Sequence, residues 1–284
     1  MLAYIFGLIS YFGWGIGDIF GAITARKIGG YQTTFWIMTG AALLFTPLAF
    51  LYWHMLISAP LIVIAAAILV GFLYQSGNFA VSLALVESDV SIVLTIMGSF
   101  GALIVLFSTL FFHEPLNLSK FIIIAGIFLG VFLCTYKPGA HVDRNHMRGV
   151  WLALYSAFSF GLFFTVVKLF TPTLSWFWPV YLSFFWLPLF YLWFRRMHIR
   201  ISTNALSKAR IPILASLLLL RGGDFFFNVG LQHGLAAIVA PIGSASPTLS
   251  VLLAFLIFHE KLTKRQLIGI IVALTGIVAL GFVG

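Results

Sequence analysis

The sequence contains two copies of one pattern, displaced from each other by 146 positions. Placing residues 1–138 over residues 147–284 without a gap brings His113-Glu114 onto His259-Glu260. Further identical residues coincide under the same shift: Gly15 with Gly161, Gly77 with Gly223, Phe79 with Phe225, Ile92-Val93 with Ile238-Val239, Leu106 with Leu252, Phe112 with Phe258, and Gly130 with Gly276. Because the register holds over the whole length, the two halves are expected to share one fold.

Both copies consist mainly of apolar stretches. Hydrophobic residues make up 62% of the 284 positions and charged residues 8%, whereas about 25% of an ordinary soluble domain is charged. A helix of roughly 17 to 25 residues crosses the hydrocarbon core of a bilayer. Stretches of that length lie at 2–25, 32–53, 61–84, 90–112, 119–137, 149–170, 176–194, 211–232, 236–258 and 266–283. We therefore predict an all-α integral membrane protein with ten transmembrane helices.

Five of these spans fall in each copy, which divides the chain into a first repeat at 1–138, a polar linker at 139–146 and a second repeat at 147–284. An odd number of spans makes the second copy enter the membrane from the opposite face. The sequence thus predicts two inverted five-helix repeats, an architecture that many secondary transporters use for alternating access.

Basic residues concentrate in the odd-numbered loops of this ten-span arrangement. Thirteen of the 16 Lys and Arg residues lie there: Arg26, Lys27, Lys137, Arg144, Arg148, Arg195, Arg196, Arg200, Lys208, Arg210, Lys261, Lys264 and Arg265. The positive-inside rule then predicts that the odd-numbered loops face the cytoplasm and that both termini lie outside the plasma (inner) membrane. This placement explains the net charge of +9, so we expect no nucleic-acid partner.

Three ionisable side chains lie inside predicted spans: Asp18 in the first span, and Arg221 and Asp224 in the eighth. A charge near the bilayer centre costs at least a few kcal/mol, so each needs a partner or a purpose. Arg221 and Asp224 are three residues apart and share one helix face. In one interpretation Arg221 neutralises one carboxylate while the other exchanges protons or binds a cationic group; in the alternative, the groups form a structural ion pair.

Other polar and aromatic residues fall at matching or neighbouring positions. Gln75 coincides with Arg221 and Asn78 with Asp224 under the repeat shift, so the third and eighth spans offer polar groups at equivalent depth. Trp14 and Tyr74 share helices with these positions and could stack on a flat or cationic ligand, or serve ordinary packing. We predict a central site formed by Asp18, Arg221, Asp224, Asn78, Gln75, Trp14 and Tyr74.

The fourth and ninth spans carry helix-breaking residues at corresponding places. Pro241, Gly243 and Pro247 lie in the ninth span, and Thr95, Gly98 and Gly101 in the fourth. Interrupted helices at matched positions of two repeats are a pointer to a midplane binding site. A structural kink is the alternative explanation.

Several short motifs are typical of a known family. They are Trp14-Gly15 in the first span, Ala84-Leu85 to Ser91-Ile92 before the fourth, Gly234-Leu235-Ala236-Ala237 before the ninth, the run Ala240-Pro241-Ile242-Gly243-Ser244, and the turns at Glu114 and Glu260. With the length, span count and repeat, the chain resembles the drug/metabolite transporter superfamily, in particular its EamA-type ten-helix members. This resemblance implies export or exchange of small metabolites through a cavity walled by spans 1, 3, 4, 6, 8 and 9.

From these observations we predict a secondary active transporter, an exporter or exchanger of a small polar or aromatic metabolite, with possible coupling to protons. A membrane-embedded enzyme and a non-transporting scaffold are the alternatives. The sequence contains neither Gly-x-Ser-x-Gly nor His-Glu-x-x-His, so we expect no catalytic residues. Cys134 is the only cysteine, and we expect no metal site and no cofactor. The expected assembly is a monomer or homodimer.

Overall fold

The computed structural model describes residues 2–113, 117–135, 144–167, 169–175, 177–232, 245–260 and 262–283, with side chains left out at 2–4, 134–135, 228–232 and 280–283. These residues form helices joined by short connections. In the first half the helices are α1 (Leu2–Ile28), α2 (Gly30–Leu51), α3 (Trp53–Ser58), α4 (Leu61–Glu87), α5 (Val90–Gly98), α6 (Phe100–Phe112) and α7 (Leu118–Thr135). In the second half they are α8 (Arg144–Val167), α9 (Thr171–Leu174), α10 (Phe177–Ser183), α11 (Trp186–Arg196), α12 (Thr203–Gln232), α13 (Ser246–Phe258) and α14 (Lys264–Val283).

Six segments of the described chain are long and apolar enough to cross a membrane: Ile5–Ile28, Gly30–Leu51, Leu61–Glu87, Val90–Phe112, Arg144–Val167 and Phe177–Arg196. Two shorter apolar helices cover Leu118–Leu133 and Ser246–Phe258. The described part of the chain is therefore all-helical, with six candidate membrane spans. The eighth predicted span begins earlier than expected, because α12 starts at Thr203 and continues through an irregular residue at Ala209.

The fourth predicted span is interrupted, as the sequence indicated. Its two parts, α5 and α6, meet at Ser99, whose carbonyl accepts the backbone N–H of Ala102 at 3.0 Å. In the second half α13 begins after Ala245, whose carbonyl accepts the N–H of Thr248 at 3.0 Å. The two junctions are equivalent under the repeat shift. Pro241 and Gly243 lie outside the described residues.

The closest packing joins the first half to the second. Serine side chains connect α1 and α12 at two levels: Ser10 Oγ donates to the carbonyl of Gly223 at 3.1 Å, and Ser216 Oγ donates to the carbonyl of Gly17 at 3.1 Å. As the residue number rises along α1 it falls along α12, so the two helices are antiparallel. A Cβ at Gly13 would lie 2.8 Å from the Leu219 carbonyl oxygen, so this backbone approach needs glycine.

Several contacts between the halves occur twice, and exchanging the two repeats converts one copy of each contact into the other. Gly223 faces Trp14, and a Cβ there would lie 2.7 Å from the indole; the equivalent Gly77 faces Phe160, with 3.1 Å to its ring. Likewise Gly15 contacts Leu249, and the equivalent Gly161 contacts Leu103. The crossing of α1 with α12 and the crossing of α8 with α4 are therefore related by the repeat.

The last helices of the two halves, α7 and α14, cross each other, and exchanging the two repeats maps this crossing onto itself. A Cβ at Gly130 of α7 would lie 2.5 Å from the backbone nitrogen of Ala273 on α14. A Cβ at Gly276 would lie 2.5 Å from Cγ1 of Ile127. Exchanging the halves converts one contact into the other. Since Gly130 meets Ala273 while Ile127 meets Gly276, α7 and α14 are also antiparallel.

Candidate functional site

The polar side chains of the predicted site lie where α1, α4, α12 and α13 come together. Arg221 on α12 is 5% exposed. Its Nη1 lies 2.7 Å from Oδ2 of Asp224, one turn later on the same helix. The same nitrogen donates to the Tyr74 hydroxyl at 2.7 Å. The contact with Asp224 follows from the three-residue spacing on α12. The contact with Tyr74 requires α12 of the second half to approach α4 of the first.

Trp14 extends this network to α1. Its indole Nε1 donates to Oδ1 of Asp224 at 2.9 Å, and its ring lies 4.9 Å from that of Phe227 between centroids. The two oxygens of Asp224 therefore accept from groups on two different helices. Tyr74, Arg221, Asp224 and Trp14 form one connected series across α4, α12 and α1, and we refer to these four residues as the charged network.

Asp18 lies beside the charged network. It is one turn beyond Trp14 on α1, and its Oδ2 accepts a hydrogen bond from Ser250 Oγ at 3.1 Å. Ser250 is fully buried on α13. Asp18 is close enough to Arg221 and Asp224 for their charges to interact. Its carboxylate thus has a neutral hydroxyl as a direct partner, whereas Asp224 has a guanidinium.

Gln75 and Asn78 lie on α4 and bond to different partners. Gln75 Nε2 donates to Ser183 Oγ on α10 at 3.0 Å, and its Oε1 has no hydrogen-bond partner among the described residues. Asn78 Nδ2 donates to the carbonyl of Tyr74 at 2.7 Å. Gln75 therefore does not bond to the charged network, whereas Asn78 bonds to one of its members, Tyr74.

Two parts of this region were not predicted from the sequence. Ser250 has no sequence signal, because its equivalent in the first half is the apolar Ile104. Phe163 is fully buried, with its ring 4.9 Å from that of Tyr74. Phe160 does have a sequence signal, because it is the equivalent of Trp14 under the repeat shift, and its ring lies 5.8 Å from that of Tyr74. These rings hold Tyr74 against α8, so an aromatic wall from the second half supports the hydroxyl that meets Arg221.

A second set of polar contacts joins the halves at one end of the bundle, which we call the Glu260 end. Glu260 follows α13, and its side chain is 3% exposed. Its two carboxylate oxygens accept the backbone N–H groups of Val90 at 2.5 Å and Ser91 at 2.9 Å, the first residues of α5. A carboxylate is favourable there because the first N–H groups of a helix lack partners inside it.

Arg26 completes this junction from the end of α1. Its Nη2 lies 3.3 Å from Oε1 of Glu260, and its Nε donates to the carbonyl of Leu85 at 3.3 Å. Its guanidinium carbon lies 4.3 Å from the centre of the Phe258 ring. Arg26 therefore joins the end of α4 to the end of α13.

At the Glu260 end, side-chain contacts also join the end of α4 to the start of α8. Ser88 Oγ is hydrogen-bonded to Nδ1 of His146 at 2.9 Å. Arg148 Nη1 lies 3.0 Å from Oε1 of Glu87, whose side chain is 15% exposed. Glu87 is thus paired rather than freely solvated. Both of these contacts link the first half of the chain to the second.

Residue types in this region suit recognition by charge and hydrogen bonding. Within the described chain, no three His, Cys, Asp or Glu side chains lie together as a metal site would require. The charged network contains a guanidinium, a carboxylate, an indole and a phenol. These groups can orient a small polar or aromatic molecule.

Comparison with known proteins places the chain in a family. Residues 1–136 and 147–282 each match the model of the EamA-like transporter family. The chain belongs to the EamA-like transporter family. The sequence-based resemblance to the drug/metabolite transporter superfamily is therefore confirmed. Since the EamA-like family is one of transporters and the helices are apolar and long, the chain is a multi-pass membrane protein.

Two individual similarities accompany the EamA match. An uncharacterized protein of Methanocaldococcus jannaschii is 36% identical over 81 residues, which are 28% of this chain and 53% of that protein. The chain spans about half the length of this curated relative. A solved structure, described as a crystal structure of a protein, covers 98% of this chain and 95% of its own with a TM-score of 0.56 at 15% identity. That similarity supports the fold alone.

Proposed function

We propose that this EamA family member is a secondary active transporter that exports or exchanges a small polar or aromatic metabolite by alternating access. The charged network and Asp18 form its binding and coupling site. The single observation that carries this proposal is the series from Tyr74 through Arg221 and Asp224 to Trp14. Ionised groups inside a membrane protein are expensive and mark substrate or ion pathways, and this series joins the two halves.

The proposed architecture has ten membrane spans in two inverted repeats, 1–138 and 147–284, joined by the linker 139–146. The exchange of contacts between halves supports it, as do the antiparallel crossings of α1 with α12 and α7 with α14. An odd number of spans per half would give each crossing that orientation. The site then lies between the repeats, where alternating access requires it.

The Glu260 end corresponds to the closed side of the transporter. Arg26, Glu87, Arg148 and Glu260 belong to the loops after the first, third, fifth and ninth spans, and they pair with one another. This agreement supports the placement of these odd-numbered loops on one side of the membrane. The charge bias then assigns that side to the cytoplasm and both termini to the outside. Opening toward the cytoplasm would require Glu260 to leave the first turn of α5.

Asp18 is proposed to be the proton-exchanging group. Its carboxylate interacts directly with the Ser250 hydroxyl, whereas Asp224 has Arg221 as a counter-charge. Proton exchange at Asp18 therefore leaves the charge pair on α12 intact. The remaining predicted residues, Gln75 and Asn78, lie next to Tyr74 on α4 and are proposed to complete the binding site.

The test begins with the purified full chain and a panel of amino acids, nucleosides and organic ions in a thermal-shift assay. A ligand that raises the unfolding temperature is then loaded into proteoliposomes with an imposed pH gradient. Asp18→Asn is expected to abolish the acceleration of transport by the gradient while preserving the ligand-induced shift. Asp89→Asn, which changes a carboxylate at the start of α5, is the matched control and is expected to retain acceleration.

Two outcomes would contradict the proposal at different levels. If gradient-driven transport persists in Asp18→Asn, the coupling role of Asp18 is wrong, although transport stands. If no ligand of the panel crosses the membrane and each stabilising compound is chemically altered instead, the protein is an enzyme and the transport proposal fails.

A further inference from the structure

A groove with a volume of about 500 Å³ lies beside the first two turns of α8. Its lining residues are Arg144, Asn145, Met147, Arg148 and Trp151. The groove adjoins the Glu260 end, because Arg148 reaches Glu87 at the end of α4. This surface is separate from the charged network in the centre of the bundle.

The groove continues along α8 as an exposed stripe. Arg144, Arg148, Trp151, Tyr155 and Phe158 follow one another at intervals of three or four residues, so they lie on one helix face. Trp151 is 66% exposed, Tyr155 43% and Phe158 47%. At 1.5 Å per residue, Phe158 lies about 21 Å along the axis from Arg144. That length is close to half the thickness of a bilayer with its headgroups, which is about 40 to 45 Å.

The side chains along this stripe follow the same order, from charged to apolar, as a phospholipid does from its headgroup to its acyl chains. Two guanidinium groups come first, a tryptophan suited to the interface follows, and the exposed rings of Tyr155 and Phe158 come last. Glu87 faces Arg148 at 3.0 Å and offsets part of its charge. Arg144 is exposed and therefore supplies most of the attraction for an anion.

We propose that this stripe binds one anionic phospholipid of the cytoplasmic leaflet. Its phosphate lies between Arg144 and Arg148, and an acyl chain lies along Trp151, Tyr155 and Phe158. The proposal goes beyond transport and rests on the orientation that places the Glu260 end in the cytoplasm. A lipid phosphate on Arg148 competes with Glu87, so lipid binding would act on one of the contacts that close this end.

Native mass spectrometry of the full chain, titrated with phosphatidylglycerol or phosphatidylcholine in one detergent, tests the assignment. Phosphatidylglycerol is expected to bind more tightly. Arg144→Gln is expected to weaken phosphatidylglycerol binding about five-fold, which corresponds to about 1 kcal/mol for one basic residue near an anionic surface. Trp151→Ala is expected to weaken binding of both lipids equally.

The matched control is Arg196→Gln, an exposed arginine at the end of α11, which is expected to leave binding unchanged. Arg144→Lys keeps the charge and is expected to keep the preference, so a loss in Arg144→Gln alone excludes a folding defect. Equal losses in Arg144→Gln and Arg196→Gln, or no preference between the lipids, would overturn the site. Displacement of lipid by glycerol phosphate at equal concentration would instead identify a site for soluble phosphate esters and contradict the lipid assignment.

Discussion

Asp224 contacts the guanidinium of Arg221 on its own helix and accepts a hydrogen bond from the indole of Trp14 on α1. A structural ion pair and a substrate-binding pair have the same geometry in one conformation. They differ in what happens when both charges are removed together. Two buried partners can often be replaced by apolar residues without loss of stability, whereas removing one partner is costly.

Asp224→Asn is expected to lower the free energy of unfolding by about 3 kcal/mol, the lower end of the range for a broken buried pair, because Asp224 is 26% exposed. The double change Arg221→Met with Asp224→Leu is expected to recover stability but not transport. Thermal unfolding in detergent and uptake into proteoliposomes measure the two properties. Wild-type transport by the stable double variant would show that the pair is structural.

The same scale shows which side-chain contacts the sequence could predict. Under the repeat shift Gln75 is the equivalent of Arg221, but it bonds to Ser183 instead. Arg221 bonds to Tyr74, and the residue equivalent to Tyr74 in the second half is the apolar Leu220. Gln75 therefore has no hydroxyl at the corresponding place. A repeat fixes backbone positions, whereas hydrogen-bond partners depend on residues that the two copies do not share.

At the scale of helices, the sequence predicted the positions of the six long apolar segments and the interruption of the fourth span near Gly98 and Gly101. It did not predict the short helices α3 and α9 or the early start of α12. Short helices at span ends carry little periodicity, and the polar residues of 203–210 read as a loop. The Glu260 contact with α5 was also beyond prediction, since it joins residues about 170 positions apart.

Two glycines of α7 provide a matched test of helix packing. Gly130 meets the backbone of α14, whereas a Cβ at Gly126 would have nothing within 4 Å. Gly126→Ala is expected to be neutral or to stabilise by up to about 1 kcal/mol through helix propensity. Gly130→Ala is expected to destabilise by about 1 to 3 kcal/mol through overpacking. Thermal unfolding of both variants in one detergent measures the difference, and equal midpoints would mean that α7 and α14 do not approach as described.

At the scale of the whole molecule, alternating access requires the Glu260 end to open and close. Ser88 and His146 lie in contact across the halves there, and Cys134 can be removed so that introduced cysteines are the only ones. In a Cys134→Ala background, oxidation of the Ser88→Cys and His146→Cys pair is expected to stop transport, and reduction to restore it. Each single-cysteine variant treated with the same oxidant is the control. Undiminished transport by the fully cross-linked protein would mean that this end does not open.

The crossing of α7 with α14 has a particular consequence for such motion. Contacts that only one copy makes, such as those of Glu260 with the start of α5, would change partners if one copy took the conformation of the other. The pairing of Gly130 and Gly276 with the opposite helix would not, because exchanging the copies returns it to itself. This junction is therefore expected to keep the same neighbours at both extremes of the cycle, and so to serve as the fulcrum about which the remaining helices tilt.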